Sequence, residues 1–300
     1  MEEREMRKFY IVDAFTKERF GGNPAGVVIF GAGEAYPEDS VMQKTAAELR
    51  YSETVFIVPQ ADGSFRLRYF TPASEVDLCG HATVGCFAAM TDAGLAGCGK
   101  SYTAHTNVGD IGIDISADGD VLMDMAKPEV VSEINDPEAI KRLYDICGIP
   151  CEVPERNGQK LLPKIVSTGL PDIMLAVKDR DTLNSIETDV KALTSLSKEY
   201  NVVSLHAYAL GEGPVTAYAR DFAPLYGIDE EAATGTASGS LTETLYVYGI
   251  IKPGDRSLFI QGEAMGRPSQ IITALDIEGD VRKIKVGGSA VILARGEFDI

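Results

Sequence analysis

Two short segments carry the residue types that chemistry on a small metabolite needs. Cys79-Gly80-His81-Ala82-Thr83 and Thr234-Gly235-Thr236-Ala237 are small-residue turns that each lead into an apolar helix. Each helix start offers free N–H groups and about half a positive charge to an anion. Facing one another, two such starts would clamp a carboxylate; the plainer alternative is that the glycines let helix pack closely on strand. His81 sits where the dipole disfavours an imidazolium, which would keep a neutral ring able to accept or relay a proton, or else it is a packed ring. Glu53 opens the apolar run ETVFIV. Partial desolvation there would raise its proton affinity towards neutrality, as a general base needs, and the alternative is a surface carboxylate at a strand end. Cys79 and Thr234 hold matching places before their glycines. The dipole would stabilise a thiolate at Cys79, but two-thiol proton exchange would want cysteine at both, so Cys79 reads better as a small buried hydrophobe. Glu231 precedes the second helix, where acidic residues are common.

The elements that must position these residues repeat along the chain. RYFTP (Arg68, Phe70, Pro72) leads into the first turn and RDFAP (Arg220, Phe222, Pro224) into the second. Upstream, GNPAGVVIF from Gly22 parallels GLPDIMLAV from Gly169. The offsets agree: Pro24 to Pro171 is 147 residues, Pro72 to Pro224 is 152 and Gly80 to Gly235 is 155. Such a pattern predicts an internal duplication. Runs with β-branched or aromatic residues at alternate positions, bounded by Gly, Pro, Asp and Asn, predict antiparallel strands at ETVFIV, FRLRYF, DIGIDIS and VLMDM, then at KIVST, IMLAV, VSLHAYAL and VTAYAR. Helices are predicted at 81–93 and 238–248, apolar on most faces as a helix enclosed by a curved sheet must be. Shorter amphipathic helices are predicted at 38–49, 136–147 and 189–199. The break after VLMDM predicts a first lobe over 1–127, completed by a C-terminal strand at 286–300, and a second lobe over 128–285.

Composition narrows the function. The 300 residues are 45% hydrophobic and 24% charged, in the range of a globular protein of about two domains. The charged start MEEREMRKFY and the absence of a long apolar stretch predict neither signal peptide nor membrane span, hence a cytoplasmic protein. Five cysteines at irregular spacing fit a reducing compartment, and three scattered histidines without CxxC or HExxH lack the usual spacing of a metal site. A net charge of −17, from 45 acidic and 28 basic side chains, repels nucleic acid and anionic lipid. A carboxylate ligand must then be captured by local donors, which points back to the helix starts.

Taken in order, VDAF from Val12, GGNPAGVV, SETVF, FTP, GHATVG, GLP, FAP, ATGTASG and QGEAMGRPS resemble the PhzF (phenazine biosynthesis-like) family over about residues 9–269. The resemblance implies an α+β, diaminopimelate-epimerase-like fold: two pseudo-symmetric lobes, each a curved, mostly antiparallel sheet wrapped around a central helix, with the active site between them. It implies a cofactor-independent isomerase that moves a proton on a small carboxylated metabolite, Glu53 being the general acid/base, with His81 and an acidic partner. The family has Asp at the partner's position and this sequence has Glu231, a departure that bears on substrate choice. Substrate contacts are implied at Gly80, Gly235 and Thr236, with Thr234 and Cys79 beside them, and a homodimer is expected. Two other readings stay open. One is an amino-acid epimerase or dehydratase using Cys79 opposite Thr234, and the other is a non-catalytic metabolite-binding protein.

Overall fold

Strands dominate the computed structural model, which describes residues 6–300; the charged start at 1–5 lies outside the described residues. The chain divides into two units, Met1–Asp124 with Gly287–Ile300, and Met125–Val286. The first contains β1 (Met6–Ala14), β2 (Asn23–Ile29), α1 (Asp39–Leu49), β3 (Thr54–Pro59), β4 (Phe65–Phe70), β5 (Glu75–Val76), α2 (Gly80–Asp92), β6 (Lys100–Thr106), β7 (Gly109–Ile115) and β8 (Val121–Asp124). The second opens with β9 (Glu129–Glu133), α3 (Pro137–Ile146) and a two-rung ladder of β10 (Glu155–Arg156) and β11 (Gln159–Lys160). It continues with β12 (Lys164–Ser167), β13 (Pro171–Ala176), α4 (Arg180–Asn184), α5 (Val190–Tyr200), β14 (Ser204–Leu210), β15 (Ala217–Ala223) and β16 (Ile228–Glu231). After α6 (Gly235–Val247) come β17 (Arg256–Gln261), β18 (Ser269–Glu278) and β19 (Val281–Gly288), and β20 (Ala290–Asp299) ends the chain.

The duplication is visible in the pairing. β1–β2, β3–β4, β4–β5 and β6–β7 are antiparallel, and so are β12–β13, β14–β15, β15–β16 and β17–β18 in the same order. Not every pairing is antiparallel. β2–β3, β4–β6, β13–β14 and β15–β17 run parallel, because a helix carries the chain back to its starting end between the two strands of each pair. The partner of each repeat's first strand is supplied after the other repeat or between the two: β20 pairs with β1, and β9, which follows β8, pairs with β12.

In the first unit α2 packs on β1, β2, β3, β8 and β20. Gly85 permits this approach, since a Cβ there would meet Val12 Cβ at 3.3 Å. In the second unit α6 packs on β9, β12, β13 and β18. Unlike the apolar helix expected, α6 buries Ser238, Ser240, Thr242, Thr244 and Glu243. Most of these polar groups are satisfied: Thr242 and Thr244 donate to the carbonyls of Ser238 and Ser240, and Arg282 pairs with Glu243, while Ser240 Oγ is buried without a hydrogen-bond partner among the described residues. It also starts at Gly235 rather than 238, so the Thr-Gly-Thr-Ala turn is the helix's own first turn. The amphipathic helices cover the other sheet faces. Met42 and Ala46 of α1 meet Val28, Phe56 and Phe70, while Leu143, Leu193 and Leu196 of α3 and α5 join Ile173, Leu205 and Phe222.

Candidate active site

In the first unit the sequence candidates converge on the start of α2. Glu53 precedes β3, and its carbonyl accepts from Gly26 N at 3.2 Å, fixing it against β2. Cys79 is the extended residue before α2 (φ −141°, ψ 117°), Gly80 is the first helical residue and His81 the second. His81 Nε2 lies 3.1 Å from Glu53 Oε2, and the side chains are only 4% and 15% exposed. Asn23 Nδ2 stands 3.1 Å from His81 Nδ1, Ser52 Oγ 3.2 Å from Nε2, and Cys79 Sγ 3.3 Å from Nδ1 and 3.8 Å from Nε2. The ring is thus held from three sides.

The electrostatics reverse two expectations. Burial alone would raise Glu53, but hydrogen bonding and charge from His81, helped by Ser52 and Cys79, bring it below the ordinary 4.5. Burial likewise pushes His81 down, and the negative forms of Cys79 and Glu53 carry it well above 6.5. Burial and the neighbouring Glu53 charge push the Cys79 thiol up to about 11, so it keeps its proton at neutral pH. For Glu53 the ring's hydrogen bond and charge outweigh desolvation. The free site therefore holds an ionised Glu53 against a charged His81, rather than a protonated acid and a neutral ring. No stabilised thiolate forms at Cys79.

In the second unit Thr234 is the equivalent extended residue before α6 (φ −122°, ψ 106°), followed by Gly235 and Thr236 in the first turn. Thr234 Oγ1 donates to Asp221 Oδ2 at 3.0 Å and lies 3.4 Å from Glu231 Oε2. Gln261, wholly buried, fixes both, donating from Nε2 to the Glu231 carbonyl at 2.7 Å and to Thr234 Oγ1 at 3.1 Å. Thr168 Oγ1 donates to the Thr236 carbonyl at 2.9 Å. Behind them lies a buried polar cluster. Ser204 Oγ is 2.7 Å from Asp221 Oδ1 and 2.9 Å from Asp172 Oδ1, and His206 Nδ1 is 2.9 Å from Asp221 Oδ1. Burial and the Asp221 charge hold Asp172 well above 3.8.

With that geometry in place, the sequence model of the phenazine biosynthesis-like protein family (PhzC-PhzF) matches residues 12–296. The chain belongs to the phenazine biosynthesis-like family. An uncharacterized isomerase of Deinococcus radiodurans is 36% identical, with 98% of each chain covered. Trans-2,3-dihydro-3-hydroxyanthranilate isomerase of Pseudomonas fluorescens is 30% identical over 97% of this chain and 99% of its own. The crystal structure of the Bacillus anthracis phenazine biosynthesis protein, PhzF family, superposes with a TM-score of 0.83 at 26% identity, over 99% of this chain and 100% of that one. By this kinship the chain is an isomerase, and its fold is that of the phenazine biosynthesis-like proteins.

In this phenazine biosynthesis-like protein the structure brings Glu53, Cys79, Gly80 and His81 together in one unit, and Glu231, Thr234, Gly235 and Thr236 together in the other. Sequence reasoning missed Asn23, Ser52, Gln261 and the cluster of Asp172, Ser204, His206 and Asp221. The available signal was a polar residue inside an otherwise apolar strand run, as in GLPDIMLAV and VSLHAYAL, since polar groups in such places are buried and must have partners. The spacing argument against metal ligands is also incomplete, for Glu53, Cys79 and His81 place one ligand atom each within 4.8 Å of the others. No helix among the described residues is long and apolar enough to cross a membrane.

Proposed function

We propose that the protein is a cofactor-independent isomerase in which Glu53 removes a C–H proton from a small unsaturated or carbonyl-bearing carboxylic acid and returns it at a conjugated carbon. The observation that carries this reading is the Glu53–His81 pair, 3.1 Å apart at the start of α2. A base must be ionised when substrate arrives, and His81 holds Glu53 below its ordinary range. Charge building on the substrate as the proton leaves is stabilised by the free N–H groups of the first turn of α2, including that of Gly80. Glu53, now protonated, delivers the proton to the far end of the conjugated system, and the electron pair of the new C–H bond comes from the delocalised anion.

The same reading gives Glu231 a proton-steering and orienting role and gives Gly235, Thr236 and Thr234 the binding of a substrate carboxylate. Cys79 is a neutral neighbour of the ring, which disfavours the epimerase or dehydratase alternative. The substrate named for the P. fluorescens relative belongs to the acid class proposed. The glutamate at 231, against the aspartate expected of the family, sets a carboxylate about one bond length further from its backbone and would select a differently shaped acid. We place the protein in the cytoplasm as a homodimer, acting on a small carboxylate with neither nucleic-acid nor membrane partners.

The test is proton NMR of a panel of unsaturated and amino carboxylic acids in D2O with the protein and with Glu53→Gln. Deuterium entering an acid with the parent protein but not with the variant supports the proposal. Binding without exchange across the panel favours a metabolite-binding protein instead.

A further inference from the structure

We infer that Gln261 is a positioning residue for Glu231, clamping the short segment between β16 and α6 at a place where the second unit carries an acid and the first does not. A single buried amide spans that segment. Gln261 Nε2 donates to the Glu231 carbonyl at 2.7 Å and to Thr234 Oγ1 at 3.1 Å, and Oε1 accepts from Thr234 N at 3.2 Å. These bonds leave the amide one orientation, since only its oxygen can accept from the Thr234 N–H and only its nitrogen can donate to the Glu231 carbonyl. The next residue presses on the same segment. A Cβ on Gly262 would meet the Ala232 carbonyl oxygen at 2.6 Å, so the end of β17 lies directly against it.

The internal duplication supplies the control. Arg68 and Arg220 are matched residues, and each makes a bidentate pair with the acid that lies five positions before the first glycine of its helix, Glu75 before Gly80 and Glu230 before Gly235. The residue after that acid is Val76 in the first unit and Glu231 in the second. They stand opposite the matched residues Tyr69 and Asp221 of the preceding strand. In the parallel pairings Arg66 faces His105 and Tyr218 faces Ile260, so the following residues, Thr106 and Gln261, are matched as well. Thr106 Oγ1 donates to the Gly109 carbonyl at 2.8 Å, within its own hairpin. The same strand and helix arrangement is thus built with valine and threonine at these two places, whereas acid and amide occur together. A residue that served the fold alone would be wanted in both units.

Gln261 acts through Glu231, so its effect on turnover rests on the function proposed above; about 1 Å of carboxylate displacement is enough to be costly. The test uses Gln261→Thr, the residue the first unit has there, and Gln261→Met, which is closer in volume. Amide hydrogen exchange at Thr234 should be at least tenfold faster in both, with Leu241 and Leu245 in the buried body of α6 unchanged. For an acid that the parent deuterates in the NMR panel, kcat should fall by about tenfold to a hundredfold with KM changed only a few-fold. Gln261→Met combined with Glu231→Gln should be no slower than Glu231→Gln alone, because the two residues act as one. A Thr234 amide that stays protected, a loosened Thr234 with parental kcat, additive losses in the double variant, or lost protection at Leu241 and Leu245 in both variants overturns the inference. If the parent deuterates no acid of the panel, the proposed function fails, and hydrogen exchange still decides whether Gln261 holds the segment.

Discussion

Glu53 Oε2 and His81 Nε2 lie 3.1 Å apart at the buried start of α2, and each holds the other in its charged form. Glu53, lowered, adds stability that is fully present above its ordinary value of 4.5 and is lost as pH falls towards its folded value. His81, raised, adds stability that is fully present below its ordinary 6.5 and is lost as pH rises through its folded value. Both contributions are whole only between these two ordinary values. His81→Asn should therefore cost most stability in denaturant unfolding near the middle of that window, with the deficit shrinking on either side. It should also reduce turnover by about a hundredfold and move the acid limb of kcat/KM to higher pH, because Glu53 loses the partner that keeps it ionised.

Cys79→Ala should keep turnover within about tenfold of the parent, since a thiol held up to about 11 is neutral at working pH. Alkylation mapped by peptide mass should find Cys98 and Cys151, both exposed, modified first, with Cys79 reacting only as the pH climbs. Substrate-protected alkylation of Cys79 at neutral pH, with loss of activity, would favour the thiol mechanism.

The buried acids of the second unit should respond in opposite directions. Asp172 is raised, so the group costs stability increasingly as pH rises above 3.8 towards its folded value. Asp172→Asn should relieve that cost, raising stability at pH 7 by about 1 kcal/mol or more, with little gain at acid pH. Asp221→Asn strips the charge facing His206, Ser204 and Thr234 and should cost about 3 kcal/mol. Thermal unfolding of both variants across pH reads the two signs.

Gly22 ties the fold to the site. Its φ is +62°, and a Cβ would meet the Ala14 carbonyl oxygen at 2.1 Å, a backbone atom that cannot swing aside. Gly22→Ala should destabilise by about 2 kcal/mol or more and shift Asn23, the next residue, off His81. Calorimetry together with the His81 imidazole NMR shift checks both effects.

Local pattern made much of this legible. Alternation marked the strands of both repeats, amphipathic spacing marked α1, α3 and α5, and the two small-residue turns marked the approach to α2 and α6. What stayed hidden depended on tertiary contact. The parallel pairings follow from which strands the helices bring side by side, and no local periodicity encodes that. The charge state of Glu53 was misjudged because burial can be read from one segment, whereas the effect that lowers it comes from His81, 28 positions away. The Asp172–Ser204–Asp221–His206 cluster draws on three separate strands.

The most direct test of the central claim is a paired measurement on Glu53→Gln with an acid that the parent turns over: steady-state turnover and calorimetric binding of the same acid. Proton transfer by Glu53 predicts turnover lower by about a hundred- to ten-thousand-fold, with affinity changed only a few-fold. Turnover that survives in the variant at parental levels would contradict it.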